Sequence, residues 1–275
     1  YVAAGTYYPM YDSEGNQSAD VVYVINNDVN IQGGFYEDKN SKFKNDPVNH
    51  KTIFSGDIYN DDTLIYYPNE YRSGASGCVR NDTIYYFDNT SDNSNLFLLK
   101  DNSNVKMSGV NISNGIKGGS SYSITVSEGS SLELTHSVIT KCSNAINAEQ
   151  NTIVNISFCD FLRCQSDIYI SGDLAISNSK FSYCYATDYK GIIYINGPKC
   201  KIENNLFYKC YGDRDGLIYL KRTNAEINNN TFYYCDYGVS GFYTDALYST
   251  GSNLYLNNNT FISTMPSHIL SLYSE

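Results

Sequence analysis

Residues 200–235 read CKIENNLFYKCYGDRDGLIYLKRTNAEINNNTFYYC, and the second half of this stretch restates the first. Ile202, Phe207 and Cys210 return 25 residues later as Ile227, Phe232 and Cys235, and the Asn pair at 204 and 205 returns as Asn228 to Asn230. A fixed period of this size is the mark of a repeat architecture, in which each unit buries its apolar side only against its neighbours.

Working outward, the same pattern (an aliphatic residue, an apolar residue five positions on, a Cys three further) organises most of the second half. The first marker falls at Met107, Leu134, Ile156, Ile176, Ile202, Ile227 and Leu256, and the second at Ile112, Ile139, Phe161, Phe181, Phe207, Phe232 and Phe261. Two residues before the first marker stand Val105, Leu132, Val154, Leu174, Cys200, Ala225 and Leu254, which alternation places on the same inward face. A third apolar cluster follows each Cys, as in DIYI, GIIYI, GLIYL and HILSL. Three short alternating segments in about 25 residues predict an all-β chain, a right-handed parallel β-helix (solenoid) with three short strands per coil, each coil pairing with the next at about 4.8 Å. A leucine-rich repeat shares the period, but its return segment would not be again strand-like and Tyr-rich. The expected organisation is residues 1–104 as irregular coils with long loops and 105–275 as regular coils, continuous as one domain.

Composition agrees: 28 Tyr, 12 Phe, no Trp and 17% charged residues favour strands and turns over long helices. No apolar run approaches the roughly 18 residues of a membrane-spanning helix. The formal net charge of −10 argues against nucleic acid as a partner, and no cluster of Lys and Arg of the kind it requires is visible in the sequence. The stretch opens at Tyr1 without an initiator Met or apolar leader, which places any targeting peptide outside it.

Asn fills the turn between the first two markers (Asn178, Asn204, Asn205, Asn228 to Asn230, Asn257 to Asn259), where it tolerates left-handed backbone and can bond along the ladder. Cys142, Cys164, Cys184, Cys210 and Cys235 share one repeat position, so a buried core ladder is the simplest account. Coils about 4.8 Å apart also bring such thiols within disulfide reach. Zinc is disfavoured, with no C-x-x-C and His50, His136 and His268 scattered.

Asp57, Asp61 and Asp62 offer oxygen ligands at a spacing that suits calcium, although a solvated turn is the simpler account; no other cofactor is expected. Sequons at Asn16, Asn81, Asn89, Asn111, Asn155, Asn229 and Asn258 are candidate glycosylation sites and fit an extracellular chain. Catalysis on a polysaccharide would need acids converging on one face, whereas Asp160, Asp173 and Glu203 fall at different repeat positions. Tyr183, Tyr208, Tyr233 and Tyr234 flank the Cys positions, and Tyr194, Tyr219 and Tyr248 recur in the third strand. Such rows can bind sugars or partner chains, or simply suit exposed strands.

The first 115 residues carry YVAAGTYYP, VNIQGGF with its Gly-Gly corner, TIFSGDI, and DNSNLFLLKDNSNVKMSGVNISNG with Gly109 and Gly115. In that order they resemble the N-terminal region of right-handed β-helix surface proteins related to polymorphic outer membrane proteins and to the adhesin-like proteins of some archaea and anaerobic microbes. The Tyr-rich stretch from Thr63 to Thr90, with Cys78, departs from that pattern. So does the reduction of a Gly-Gly-Ala-Ile motif to GIIYI and GLIYL.

The expected function is therefore a non-catalytic structural or adhesive protein of a cell surface or extracellular space, glycosylated, with other protein chains or carbohydrate as partners. The alternatives are a filament subunit stacked end to end with identical chains, since neither terminus of the stretch shows a cap, and a polysaccharide lyase or hydrolase.

Overall fold

The computed structural model describes residues 1–9, 22–57, 95–115, 122–165, 168–186, 191–212, 216–237, 245–262 and 268–273, together with the strand backbones at 63–67 and 84–88. Three parallel sheets run through it, and the described residues contain no helix. Sheet one has eight strands, from Val29–Gln32 to Asn253–Asn257; sheet two has nine, from Gly5–Tyr7 to Thr260–Ile262; sheet three has nine, from Tyr23–Ile25 to His268–Tyr273.

The register confirms the repeat residue for residue. Met107 pairs with Leu134, Leu134 with Ile156, then Ile176, Ile202, Ile227 and Leu256 in turn. In sheet two Ile112, Ile139, Phe161, Phe181, Phe207, Phe232 and Phe261 form a second file. Its Phe rings stack at centroid distances of 4.6 to 4.8 Å, the spacing of the strands themselves. The core is thus a column of side-chain files, each stacked on its own kind, and the strictly alternating burial of the sheet-one strands between residues 131 and 228 follows from the period-two geometry of strands.

The first coils obey the same register at a stretched period. Tyr7 and Phe54 head the sheet-two file above Ile112, and Ile31 stands above Met107. Between Ile31 and Met107 lie two antiparallel hairpins, Phe35–Glu37 with Phe43–Asn45 and Thr63–Tyr67 with Ile84–Asp88. Gly33 is required here because a Cβ would lie 2.5 Å from the Gly109 carbonyl oxygen. Gly34 adopts φ +83°, with Pro47 against it.

Two corners in each coil use left-handed backbone. Between sheets one and two the residues are Gly109, His136, Phe158, Asn178, Asn204, Asn229 and Asn258; before each Cys they are Lys141, Arg163, Tyr183, Lys209 and Tyr234. This conformation turns each corner N–H toward the next coil: Asn204 donates to the Asn228 carbonyl at 3.1 Å, and Lys209 to the Tyr233 carbonyl at 2.9 Å. A non-Gly residue held there costs about 1–2 kcal/mol, least for Asn, so Asn accounts for four corners and not for His136 or Phe158.

Inside the first corner the following residue points inward and forms a polar file. Asn205 donates from Nδ2 to the Ile176 carbonyl at 3.1 Å and to Asn230 Oδ1 at 3.0 Å, while Asn230 donates to the Ile202 carbonyl at 2.9 Å and to Asn259 Oδ1 at 3.0 Å. Ser137, Cys159 and Ser179 hold the same place in earlier coils, each donating to the carbonyl two residues back, at 2.8, 3.3 and 2.9 Å. Buried corner backbone, which would otherwise be left unpaired, is satisfied by this file.

Candidate binding faces

The connections of the coil differ in one informative way. Sheet one passes to sheet two through Gly109 alone in the coil of Met107 and through two residues in every later coil, 136–137 through 258–259. The return from the Cys to sheet three varies: three residues after Cys142 and Cys164, eight after Cys184, seven after Cys210 and nine after Cys235. Nearly all length variation from residue 131 onward therefore falls in the connection that enters each strand of sheet three.

The outward face of that sheet carries tyrosines. Tyr169, Tyr194, Tyr219 and Tyr248 occupy the same outward position in consecutive strands. Tyr169 and Tyr194 stack at 4.6 Å with their planes 3° apart; Tyr194 to Tyr219 and Tyr219 to Tyr248 are edge-on at 5.0 and 4.9 Å. Each ring is half-buried, so one side of the file packs on its neighbours and the other meets solvent. At the N-terminal end Tyr122 lies 6.5 Å from Tyr169, and burial, with the Tyr169 hydroxyl nearby, raises its pKa.

A second row follows the Cys corner, with Tyr183 and Tyr208 edge-on at 5.5 Å and Tyr208 and Tyr233 at 5.7 Å. The Lys209 ammonium sits 5.7 and 5.8 Å from the Tyr183 and Tyr208 rings, close enough for cation–π attraction. Tyr183 and Tyr234 are 41% and 45% exposed because the left-handed corner turns them outward.

The Cys file is interior. Cys142, Cys164, Cys184, Cys210 and Cys235 are buried free thiols, as are Cys159 and Cys200; Cys78 lies outside the described residues. Cys164, Cys184, Cys210 and Cys235 donate to the carbonyls of Ile139, Phe161, Phe181 and Phe207 in the preceding coil, at 3.3 to 3.5 Å. The thiol of Cys142 is held well above the usual range by its bond with Cys164 and by burial, and burial does the same to Cys210. Burial pushes Cys159 up to about 12. Such thiols are poor nucleophiles at neutral pH.

Among the sequons, Asn155, Asn229 and Asn258 are exposed and Asn111 is half-buried; Asn16, Asn81 and Asn89 lie outside the described residues. Asp57 is buried at the end of a sheet-two strand, its N–H donating to Ser55 Oγ at 3.2 Å, while Asp61 and Asp62 lie outside the described residues. Among the described residues no group of three or more His, Cys, Asp or Glu could hold a metal ion. The structure keeps the three coil acids apart: Asp160 stands beside Val138 and Lys180, Asp173 beside Ile153, and Glu203 beside Ser177 and Asn228. No described helix is long and apolar enough to cross a membrane.

One recess opens at the corner between sheets one and two, a groove of about 630 Å³ lined by Phe158, Asn178, Lys180, Asn204, Leu206 and Asn229, among others. Sequence reading passed over Phe158. The signal was available, since LTHSVI and ISFCDF put aromatic rings where later coils put Asn.

With the register in place, the comparison with known families is decisive: residues 122–274, more than half of the chain, match the family described as "Right handed beta helix region". The chain belongs to that family. The match covers this right-handed β-helix from residue 122 onward, and the first 115 residues, which carry the resemblance to surface proteins, lie wholly before it. No curated protein matches the chain.

Proposed function

We propose that this β-helix is a non-catalytic adhesive protein of an extracellular surface, glycosylated on its exposed corners and strands, and that sheet three is its contact face. The observation that carries the reading is the half-exposed tyrosine file, Tyr169 to Tyr248, on the outward side of sheet three, whose strands are also the ones entered by connections of varying length. Rigid scaffolds commonly carry recognition on variable loops around a fixed platform. Stacked Tyr rings offer broad contact area at low entropic cost, with hydroxyls for hydrogen bonding. The separation of Asp160, Asp173 and Glu203 speaks for binding without turnover. Exposed sequons at Asn155 and Asn258, both outside the lining of the corner groove, and the resemblance of the N-terminal pieces to adhesin-like surface proteins agree with an extracellular setting.

The test is incubation of the whole chain with a panel of insoluble and soluble polysaccharides, following both retention and release of new chain ends. The reading predicts retention on some member of the panel with no new ends. Steady release of ends that tracks protein concentration would replace adhesion with catalysis.

A further inference from the structure

We propose that the corner groove between sheets one and two is a second binding site, separate from the tyrosine face, and that it takes a neutral saccharide. Phe158 is the starting observation. It holds a left-handed conformation, φ 54°, at a place where four other coils use Asn, and its ring is 55% exposed. A bulky residue in that region is uncommon, and backbone strain of this kind is characteristically retained at functional sites. Its ring stacks on His136, the other aromatic corner, at 5.1 Å with planes 9° apart. The result is a one-ring platform, Phe158 lining the groove with His136 stacked behind it.

Beyond the platform lies a row of primary amides. Asn178, Asn204 and Asn229 follow one another up the ladder, all exposed, and line the groove. Among the described residues the side-chain amides of Asn178 and Asn204 have no hydrogen-bond partner, while Asn229 Oδ1 accepts from Asn258 at 2.9 Å. Each amide both donates and accepts, which matches a hydroxyl group. The corner N–H groups, in contrast, are committed: Phe158 donates to the Ser177 carbonyl and Asn178 to the Glu203 carbonyl, both at 3.2 Å. An extended peptide would therefore find no main-chain pairing here, and recognition falls to the ring platform and the amides.

Charge completes the assignment. Lys180 is the one charged residue lining the groove, Asp160 stands beside it in the ladder, and the chain as a whole carries −10. A polyanion is disfavoured. An apolar ring face beside evenly spaced amides suits the alternating C–H faces and hydroxyl edges of a neutral sugar chain.

The experiment uses the full chain and a panel of neutral glucan, mannan, chitin and galactan oligosaccharides, read by the side-chain amide NMR signals of Asn178 and Asn204. At least one oligosaccharide is expected to shift both signals. Phe158→Asn, which installs the repeat's own corner residue, should weaken that binding about tenfold without lowering Tm. Serine at Tyr194 and Tyr219 should leave it unchanged. The site is overturned if no neutral oligosaccharide shifts the amides, if Phe158→Asn binds as wild type or melts well below it, or if the tyrosine variants abolish the shifts.

Discussion

Asn205 and Asn230, one coil apart and both buried, are joined twice: Asn205 donates from its backbone N–H and from Nδ2 to the same Asn230 Oδ1, at 2.9 and 3.0 Å. One amide thus ties two strand corners together while its own Nδ2 holds the Ile202 carbonyl at 2.9 Å. The link converts a sequence preference for Asn into a vertical brace along the helix.

Replacing Asn230 by Ala leaves the Asn205 N–H and the Ile202 carbonyl without these partners in a buried corner, and leaves the Asn205 amide only its bond to the Ile176 carbonyl. At about 1–3 kcal/mol for an unsatisfied buried group, a loss of about 3 kcal/mol is expected in urea unfolding. Asn204→Gly, at the exposed left-handed neighbour, should cost only a few tenths of a kcal/mol, since Gly accepts that backbone freely.

In the aromatic column, Phe207 is fully buried between Phe181 and Phe232, at 4.8 and 4.7 Å. Phe207→Ala opens a cavity that rigid coils above and below cannot close, so about 3–5 kcal/mol should be lost in the same measurement. Phe207→Leu should cost clearly less, as Ile139 fills the same file without a ring.

The thiols set an alkaline limit on stability. Cys159 is raised to about 12 by burial, so above its unfolded value near 8.5 the unfolded chain releases a proton that the folded chain keeps. Stability from this group is whole below that value and declines as pH rises toward about 12, by at most about 1.4 kcal/mol per pH unit. Cys159→Ser, which copies Ser137 and Ser179 at the same corner, should fold and should flatten that part of the pH profile measured by urea unfolding at pH 7 to 11.

For the same reason the buried cysteines should not react with a thiol reagent at pH 8 in the native protein. All seven described thiols should become titratable in denaturant. Rapid labelling of Cys142 or Cys210 in the native state would contradict their enclosure.

The fold was legible in the second half because each coil repeats its inward residues at fixed offsets and its corners at a fixed two-residue length. The placing of Ile202 over Ile227, or Phe207 over Phe232, needs only that periodicity. Tyr7, Phe54 and Ile31 belong to the same files but were hidden, since two antiparallel hairpins interrupt the period between Ile31 and Met107. The candidate faces were half visible. Recurrence picked out Tyr194, Tyr219 and Tyr248, whereas Phe158 matters by breaking the Asn pattern. The contribution of the variable connections emerges only once the strands on either side are located.

The most direct test of an adhesive sheet-three face is an adsorption isotherm, on whichever polysaccharide or cell-surface preparation retains the protein, for wild type and for the variant carrying Ser at Tyr169, Tyr194 and Tyr219. These rings are half-exposed and outside the core, so the variant should still unfold cooperatively, at a Tm lowered by the lost ring contacts, while binding at least about tenfold more weakly. Unchanged binding by the folded variant would contradict the account.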